Sequence, residues 1–259
     1  MVRREGLARL AWAFAPLLAV ACEAERSVAR RPPGAPARRA PQVEATVLTI
    51  RESSHPPTRA VLHRILVHGS RVRSTEELDR WRLFDLEAQT VTWVDQIAGT
   101  HRTLALDDLV RARRRQLRAP IPSDLPPISV RKTEETMEIA GYPAEQWVME
   151  LGGYRRVVWT SLEPIVAPHF LRMWVASSPI SEPWAGVMRE SEEALFEIEG
   201  FPLWDRSELA WEGGGMVSER RLILVEKRRV PRSFFEIPED YEDTTPPAIR
   251  SGGGRRRAS

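Results

Sequence analysis

The reading of the fold turns on four stretches near the start of the chain: VEATVLTIR at residues 43–51, LHRILVHGSRVRS at 62–74, WRLFDL at 81–86 and TVTWVDQI at 90–97. Each is rich in β-branched and aromatic residues, which suit a pleated, half-buried surface. Between the first two lies the turn-forming run Ser53-Ser54-His55-Pro56-Pro57, and the later gaps are only a few residues long. Strands joined so tightly pair antiparallel. Residues 42–97 are therefore expected to form an antiparallel meander.

The period changes at residues 106–117 (LDDLVRARRRQL). Leu106, Leu109, Val110 and Leu117 fall on one helical face, and Arg111, Arg114, Arg115 and Arg118 on the other. Asp107 and Asp108 stand at the N-terminal end, where the helix dipole favours negative charge. After a proline-rich connection at 120–127, strands are expected at 133–140, 144–151 and 154–161, punctuated by Gly141-Tyr142-Pro143 and Gly152-Gly153. Two helical patterns follow. Residues 168–177 place Phe170, Met173 and Trp174 on one face, and residues 184–198 do the same for Trp184, Val187, Met188, Ser191, Leu195 and Ile198, with Pro168 and Pro183 suited to first-turn positions. A closing hairpin runs over 203–212, turns at Gly213-Gly214-Gly215 and returns over 216–230. Strands, late helices and strands again imply an α+β fold, one antiparallel sheet covered on one face by helices.

The flanks read differently. Arg3, Arg4 and Arg9 precede an apolar run at residues 10–20 (LAWAFAPLLAV), too short to span a bilayer as a helix, which takes about 20 residues. Residues 18–22 (LAVAC) then resemble a lipobox, with small residues before Cys22, although Ala19 stands where leucine is usual. Acylation at Cys22 and ordinary cleavage after Ala21 are both compatible with this pattern. Cys22 is the single cysteine of the chain, so no intramolecular disulfide is available to it. Glu23 is not the aspartate of the inner-membrane retention signal, which points to a lipid-anchored outer-membrane protein facing the periplasm.

Residues 1–21 are thus expected to be a signal peptide and 22–41 an acylated cysteine with a disordered tether. Residues 42–243 form the folded domain and 244–259 a disordered basic tail. Tether and tail hold too little apolar bulk to offset the entropy of ordering. The whole chain carries a net charge of +2, but residues 42–243 hold 26 Lys and Arg against 33 Asp and Glu, a net charge of −7. An acidic domain with basic ends does not track nucleic-acid phosphates, so no nucleic acid is expected as partner.

No catalytic constellation is expected. The chain lacks a G-x-S-x-G elbow, an H-E-x-x-H helix, a phosphate loop and a cysteine pair. Ser129-Val130-Arg131-Lys132 matches S-x-x-K but opens a strand, and His63 and His68, five apart, project from opposite faces of one, so no metal or cofactor is expected.

The domain also carries spaced marks: Val67-His68-Gly69-Ser70-Arg71-Val72-Arg73, Ile139-Ala140-Gly141-Tyr142, Val158-Trp159-Thr160-Ser161, Gly200-Phe201-Pro202-Leu203 and Phe235-Glu236-Ile237-Pro238-Glu239-Asp240-Tyr241. Taken with the signal, the chain resembles a family of uncharacterised bacterial envelope proteins with the LolA-type lipoprotein-carrier fold. Members often place a cysteine where Ala144 stands here. The resemblance implies an incomplete β-barrel, a curved antiparallel sheet whose concave apolar face is lidded by helices and holds acyl chains. Phe170, Met173, Trp174, Trp184 and Met188 are then candidate lid residues, with Trp93 as a ligand-lining residue of the sheet. Large aromatic and methionine side chains suit an adaptable apolar cavity, and equally a packed core. Two functions remain open: a noncatalytic lipoprotein binding a lipid, acyl chain, lipidated protein or other hydrophobic ligand, and a structural or sensing lipoprotein that binds a protein partner through its outer surface around a filled interior.

Expression in a bacterium with the native signal is expected to give membrane-associated protein that incorporates labelled palmitate, since each buried methylene contributes about 0.8 kcal/mol. Cys22→Ala should remove the label and release the protein or block its maturation, and unlabelled, soluble wild type would contradict the anchor.

Overall fold

In the computed structural model, residues 40–56, 59–75, 79–117, 126–167, 169–178, 185–211 and 214–246 are described. The meander is present as β1 (Gln42–His55), β2 (Arg59–His68), β3 (Arg71–Thr75), β4 (Arg80–Asp85), β5 (Thr90–Asp95) and β6 (Thr100–Ala105). The stretch at 62–74, expected as one strand, is instead a hairpin. Gly69, at φ +56°, takes the left-handed turn between β2 and β3, which a β-carbon would disfavour. β6 adds a strand beyond the expected meander; its threonines and histidine carry only a weak apolar signal.

Helix α1 (Leu106–Gln116) follows β6 directly. The second half holds β7 (Ser129–Ile139), β8 (Tyr142–Leu151), β9 (Tyr154–Ser161), α2 (His169–Ser177), α3 (Ala185–Glu197), β10 (Phe201–Trp211), β11 (Gly214–Pro231) and the short β12 (Glu242–Asp243). Gly214 and Gly215, expected in the turn, already pair with Trp211 and Ala210 inside the β10–β11 ladder. Gly200, at φ +92°, marks the entry to β10, and a β-carbon there would stand 2.5 Å from the Ser161 carbonyl oxygen.

All twelve strands make one sheet in the order β12-β6-β5-β4-β3-β2-β1-β11-β10-β9-β8-β7. The sheet is open, with a linear order and two distinct edges. Every pairing is antiparallel except that of β12 with β6, which is parallel. Hydrogen bonds from Thr244 N to the His101 carbonyl and from Thr103 N to Thr245 Oγ1 extend the domain to Thr245, beyond the expected boundary at Asp243.

Residues opposite one another in a ladder share a face. One such row is Leu48, Ile65, Ser74, Arg82 and Trp93, and beside it runs Val67, Val72, Phe84, Val91 and Leu104. Helices α1 and α2 pack on this face through Leu106, Leu109, Phe170 and Met173, all within the main core. Phe170 meets Phe84 edge-on at 5.1 Å. Arg82, buried in the sheet, donates to Ser177 Oγ at 2.7 Å and so fixes the end of α2. The other face of the same strands holds Ala45, Val47, Leu66, Trp81, Leu83 and Val94, closed over by Phe235 and the chain that follows β11. α3 makes a third cluster with Met149 and Val158 through Ala194, Leu195 and Ile198.

Phe84→Ala is expected to destabilise the domain by about 3–5 kcal/mol, the cost of emptying a packed aromatic site, as measured by urea unfolding. Ile97→Ala, at a residue 81% exposed, should change stability by no more than about 0.5 kcal/mol.

Candidate functional site

Four strands, β1, β9, β10 and β11, build a polar floor on one face of the sheet. Glu52 of β1 stands opposite Arg220 of β11, Arg220 opposite Asp205 of β10, and Asp205 opposite Val158 of β9. The next row aligns Ser54, Ser218, Ser207 and Arg156 in the same strand order. Because side chains two residues apart share a face, both rows point to the same side. They face a cavity of about 290 Å³ whose walls include Val175 and Ser178 at the end of α2, Val187, Met188, Ser191 and Glu192 on α3, and Leu209 and Met216 on the sheet.

Three ion pairs border this cavity. Arg156 grips Asp205 with Nε at 2.8 Å and Nη2 at 2.6 Å, and its Nη1 donates to Ser191 Oγ at 2.9 Å. The Tyr154 hydroxyl shares Ser191 Oγ at 2.8 Å. Burial would lower the Arg156 pKa, but Asp205 outweighs it and the guanidinium is held above its ordinary value. Burial also raises the Tyr154 phenol. Arg113 of α1 forms the second pair, with both oxygens of Glu192 on α3, and its Nη1 donates to the Ser178 carbonyl. A single buried guanidinium thus ties three helical segments together.

The third pair is more open. Arg220 Nε donates to Glu52 Oε2 at 2.9 Å, and His63 Nε2 lies 3.4 Å from the same oxygen. Burial pushes the Glu52 carboxyl up, but hydrogen bonds from His63 and Arg220 and the Arg220 charge overcome it and hold the pKa at about 2, against an ordinary 4.5.

A smaller cavity, about 50 Å³, shares Arg156, Val175, Asp205 and Arg220 with the first and is otherwise lined by Ile50, Leu171, Trp174, Leu195, Phe201, Pro202, Leu203 and Leu222. Two chambers thus adjoin between sheet and helices, the larger with mixed polar and apolar walls and the smaller mainly apolar, with Arg156, Asp205 and Arg220 on their common boundary.

The residues expected to line an apolar cavity are distributed otherwise. Trp174 borders the small chamber and Met188 the large one. Phe170 and Met173 are fully buried and fill the core, where helical spacing aims them at Phe84 and its neighbours. Trp93 packs at the margin of that core beneath the Arg102 guanidinium, 5.3 Å from its ring, and borders neither chamber. Trp184 and Cys22 lie outside the described residues. Sequence reasoning missed the ion pairs. Arg113 had a legible signal, because helical spacing places it with Leu109, Val110 and Leu117. Glu52, Arg156, Asp205 and Arg220 had none, since only the strand register brings them together. Among the described residues no group of three or more His, Cys, Asp or Glu is arranged to hold a metal.

No family model matches the chain, and no curated protein does. Among solved structures, it is similar to PNGF-II in a C2 crystal form, with 12% identity over 80% of this chain and a TM-score of 0.41. A P21 form of PNGF-II gives 11% identity over 79% and a TM-score of 0.39. The chain spans 32% of the length of those structures. The LolA superfamily protein NE2245 from Nitrosomonas europaea shares 12% identity, over 76% of this chain and 90% of that one, with a TM-score of 0.26.

The Glu52 environment sets an acid limit on stability. With its folded-state pKa depressed, the ionised carboxylate stabilises the fold fully above about pH 4.5, and this contribution is lost as pH falls towards about 2. Thermal unfolding followed from pH 6 to pH 2 should show a steeper loss of Tm in wild type than in Glu52→Gln, and equal slopes would contradict the assignment.

Proposed function

We propose that the protein is a lipoprotein of the bacterial envelope, anchored through Cys22 to the outer membrane on its periplasmic side, whose LolA-like half-barrel holds an acyl chain or similar hydrophobic ligand between sheet and helices without catalysis. The observation that carries this reading is the space itself. A cleft of about 290 Å³ lies under α2 and α3, close to the lower end of the range for small-molecule sites. Its apolar walls, Val175, Val187, Met188, Leu209 and Met216, supply the surface an aliphatic chain needs. The adjoining chamber beside Trp174 extends that surface. The packing of α1 and α2 against one face of the sheet supports the reading of those helices as a lid.

A second reading rests on the opposite side of the sheet. Leu62, Ile223 and Leu224 are exposed there, beside Arg51 and Arg221, with Arg221 lying over the Trp204 ring. Exposed apolar groups ringed by polar ones are the mark of an interaction surface, so a protein partner on this face is the alternative to a ligand in the cavity.

A spin-labelled fatty acid should quench tryptophan fluorescence saturably, because Trp174 borders the chamber wall. Met188→Ala should weaken binding roughly fivefold, the equivalent of about 1 kcal/mol for a partly buried thioether chain. Absence of saturable quenching would remove the cavity reading and leave the outer face as the functional surface.

A further inference from the structure

We propose that the larger chamber is a head-group site for a singly anchored anionic amphiphile, a carboxylate or phosphate monoester, with Arg220, Ser207 and Ser218 as its receptors and the smaller chamber taking the start of the apolar tail. This rests on the reading of the cavity as a ligand site and adds the chemistry of the ligand.

The hydrogen-bond inventory of the chamber is lopsided. Both oxygens of Asp205 are engaged by Arg156, and both oxygens of Glu192 by Arg113. Glu52 receives both Arg220 and His63 on Oε2. Among the described residues, Glu52 Oε1 is the one carboxylate oxygen of the chamber left without a partner, and its carboxylate is already shared by Arg220 and His63. Donors, by contrast, are unspent. Arg220 uses only Nε, and among the described residues its two terminal nitrogens meet no acceptor. Its side chain is 40% exposed while lining both chambers. The hydroxyls of Ser207 and Ser218, directly opposite each other in the β10–β11 ladder and one row from Arg220, likewise have no side-chain hydrogen bond among the described residues. A guanidinium with a free edge and two hydroxyls beside it match the planar oxygens of a carboxylate or the fork of a phosphate.

Glu52 contributes as a positioning residue. Its pKa of about 2 keeps it ionised, and its bond to Nε leaves the Nη1/Nη2 edge of Arg220 turned from the pair. On the far side of Arg220 stand Ile50, Leu222, Leu171 and Trp174, which offer an apolar path where an alkyl chain would lead away from the head. The two chambers thus match the two ends of one amphiphile.

Calorimetric titration of the full chain with octanoate, octyl phosphate, octan-1-ol and inorganic phosphate tests this. The anionic amphiphiles are expected to bind about 10- to 100-fold more tightly than octan-1-ol, the effect of a charge-assisted hydrogen bond. Arg220→Gln should erase that preference while leaving octan-1-ol binding in place. Ser207→Ala/Ser218→Ala, which keeps every ion pair and so serves if Arg220→Gln fails to fold, should cut the preference by several-fold. Equal affinity for octanoate and octan-1-ol in the wild type, or full selectivity in the serine variant, would overturn the head-group site while leaving the cavity reading intact. Inorganic phosphate binding as tightly as octyl phosphate would reduce the site to an ion site and overturn the amphiphile. Binding of none of the four would overturn both readings.

Discussion

The ladder between β1 and β11 is the constraint on which the rest depends. It runs in antiparallel register from Gln42 opposite Pro231 to His55 opposite Val217, joining the first strand of the domain to one of its last. On one side β1 to β6 form a meander of local hairpins; on the other, the β7–β9 meander and the β10–β11 hairpin meet where β9 pairs with β10 across the inserted α2 and α3. Local pairing is entropically easy, whereas this junction must close most of the chain. It also sets register for everything beyond it. A slip of one residue would exchange the two faces of β1 and replace Glu52 at the cavity with Arg51 or Ser53. The irregularity at Thr49/Ile50 belongs to the same device. Ile223 is the extra residue there, and it lets Val225 and Leu222, of opposite parity, both pack towards the main core.

The two halves of the sheet are finished differently, and that difference makes the cavity. The first half is covered on both sides. Helices α1 and α2 seal one face, and the chain after β11 seals the other as a strap, held where Arg71 and Arg73 donate to the carbonyls of Phe235 and Phe234. Arg73 lies between the rings of Trp81 and Phe234, 4.1 and 5.0 Å from their centroids. Burial lowers its pKa to about 10, with Tyr241 acting in the opposite sense, so it remains a cation at neutral pH and its desolvation is offset by the ring faces. In the second half, α3 contacts the sheet mainly through Ala194 and Leu195 near its C-terminal end, joined by Ile198 just beyond it. Its earlier turns, with Val187, Met188 and Ser191, stand over the polar floor instead of a packed core.

How much of this was legible follows from the range over which each feature is encoded. Strands such as β5 and β9 and helix α1 are written in adjacent residues, and their composition and period were sufficient. The β2–β3 hairpin was hidden because Val67 and Val72 continue the apolar pattern across Gly69, whose turn role shows only in its backbone. The aromatic residues of α2 were placed on the right helix face, yet spacing alone does not say whether such a face meets a void or a core. Phe84 and Val91 fill the space before Phe170 and Met173, while Trp174, one position further on, reaches the chamber. The polar floor was beyond sequence reasoning altogether. Glu52, Arg156, Asp205 and Arg220 each read as an ordinary strand charge until register sets them side by side.

That register raises the question of why the chain keeps ion pairs where methionines and leucines would fit. Buried pairs are poor sources of net stability, since desolvation consumes most of the Coulomb gain and apolar replacements of equal volume often do as well. Arg156 with Asp205 and Arg113 with Glu192, whose side chains are 7–17% exposed, are therefore weakly explained as scaffold. They are better explained by what they keep in place. Arg113 links α1, the end of α2 and α3 to one another and not to the sheet, so the roof is braced as a unit over a space that its own side chains leave open. Arg156, bonded on one side to Asp205 and on the other to Ser191 of α3, fixes the height of that roof above the floor. Polar groups with definite directions can hold two surfaces apart at a set distance, whereas apolar side chains in the same positions would draw them together and close the cavity.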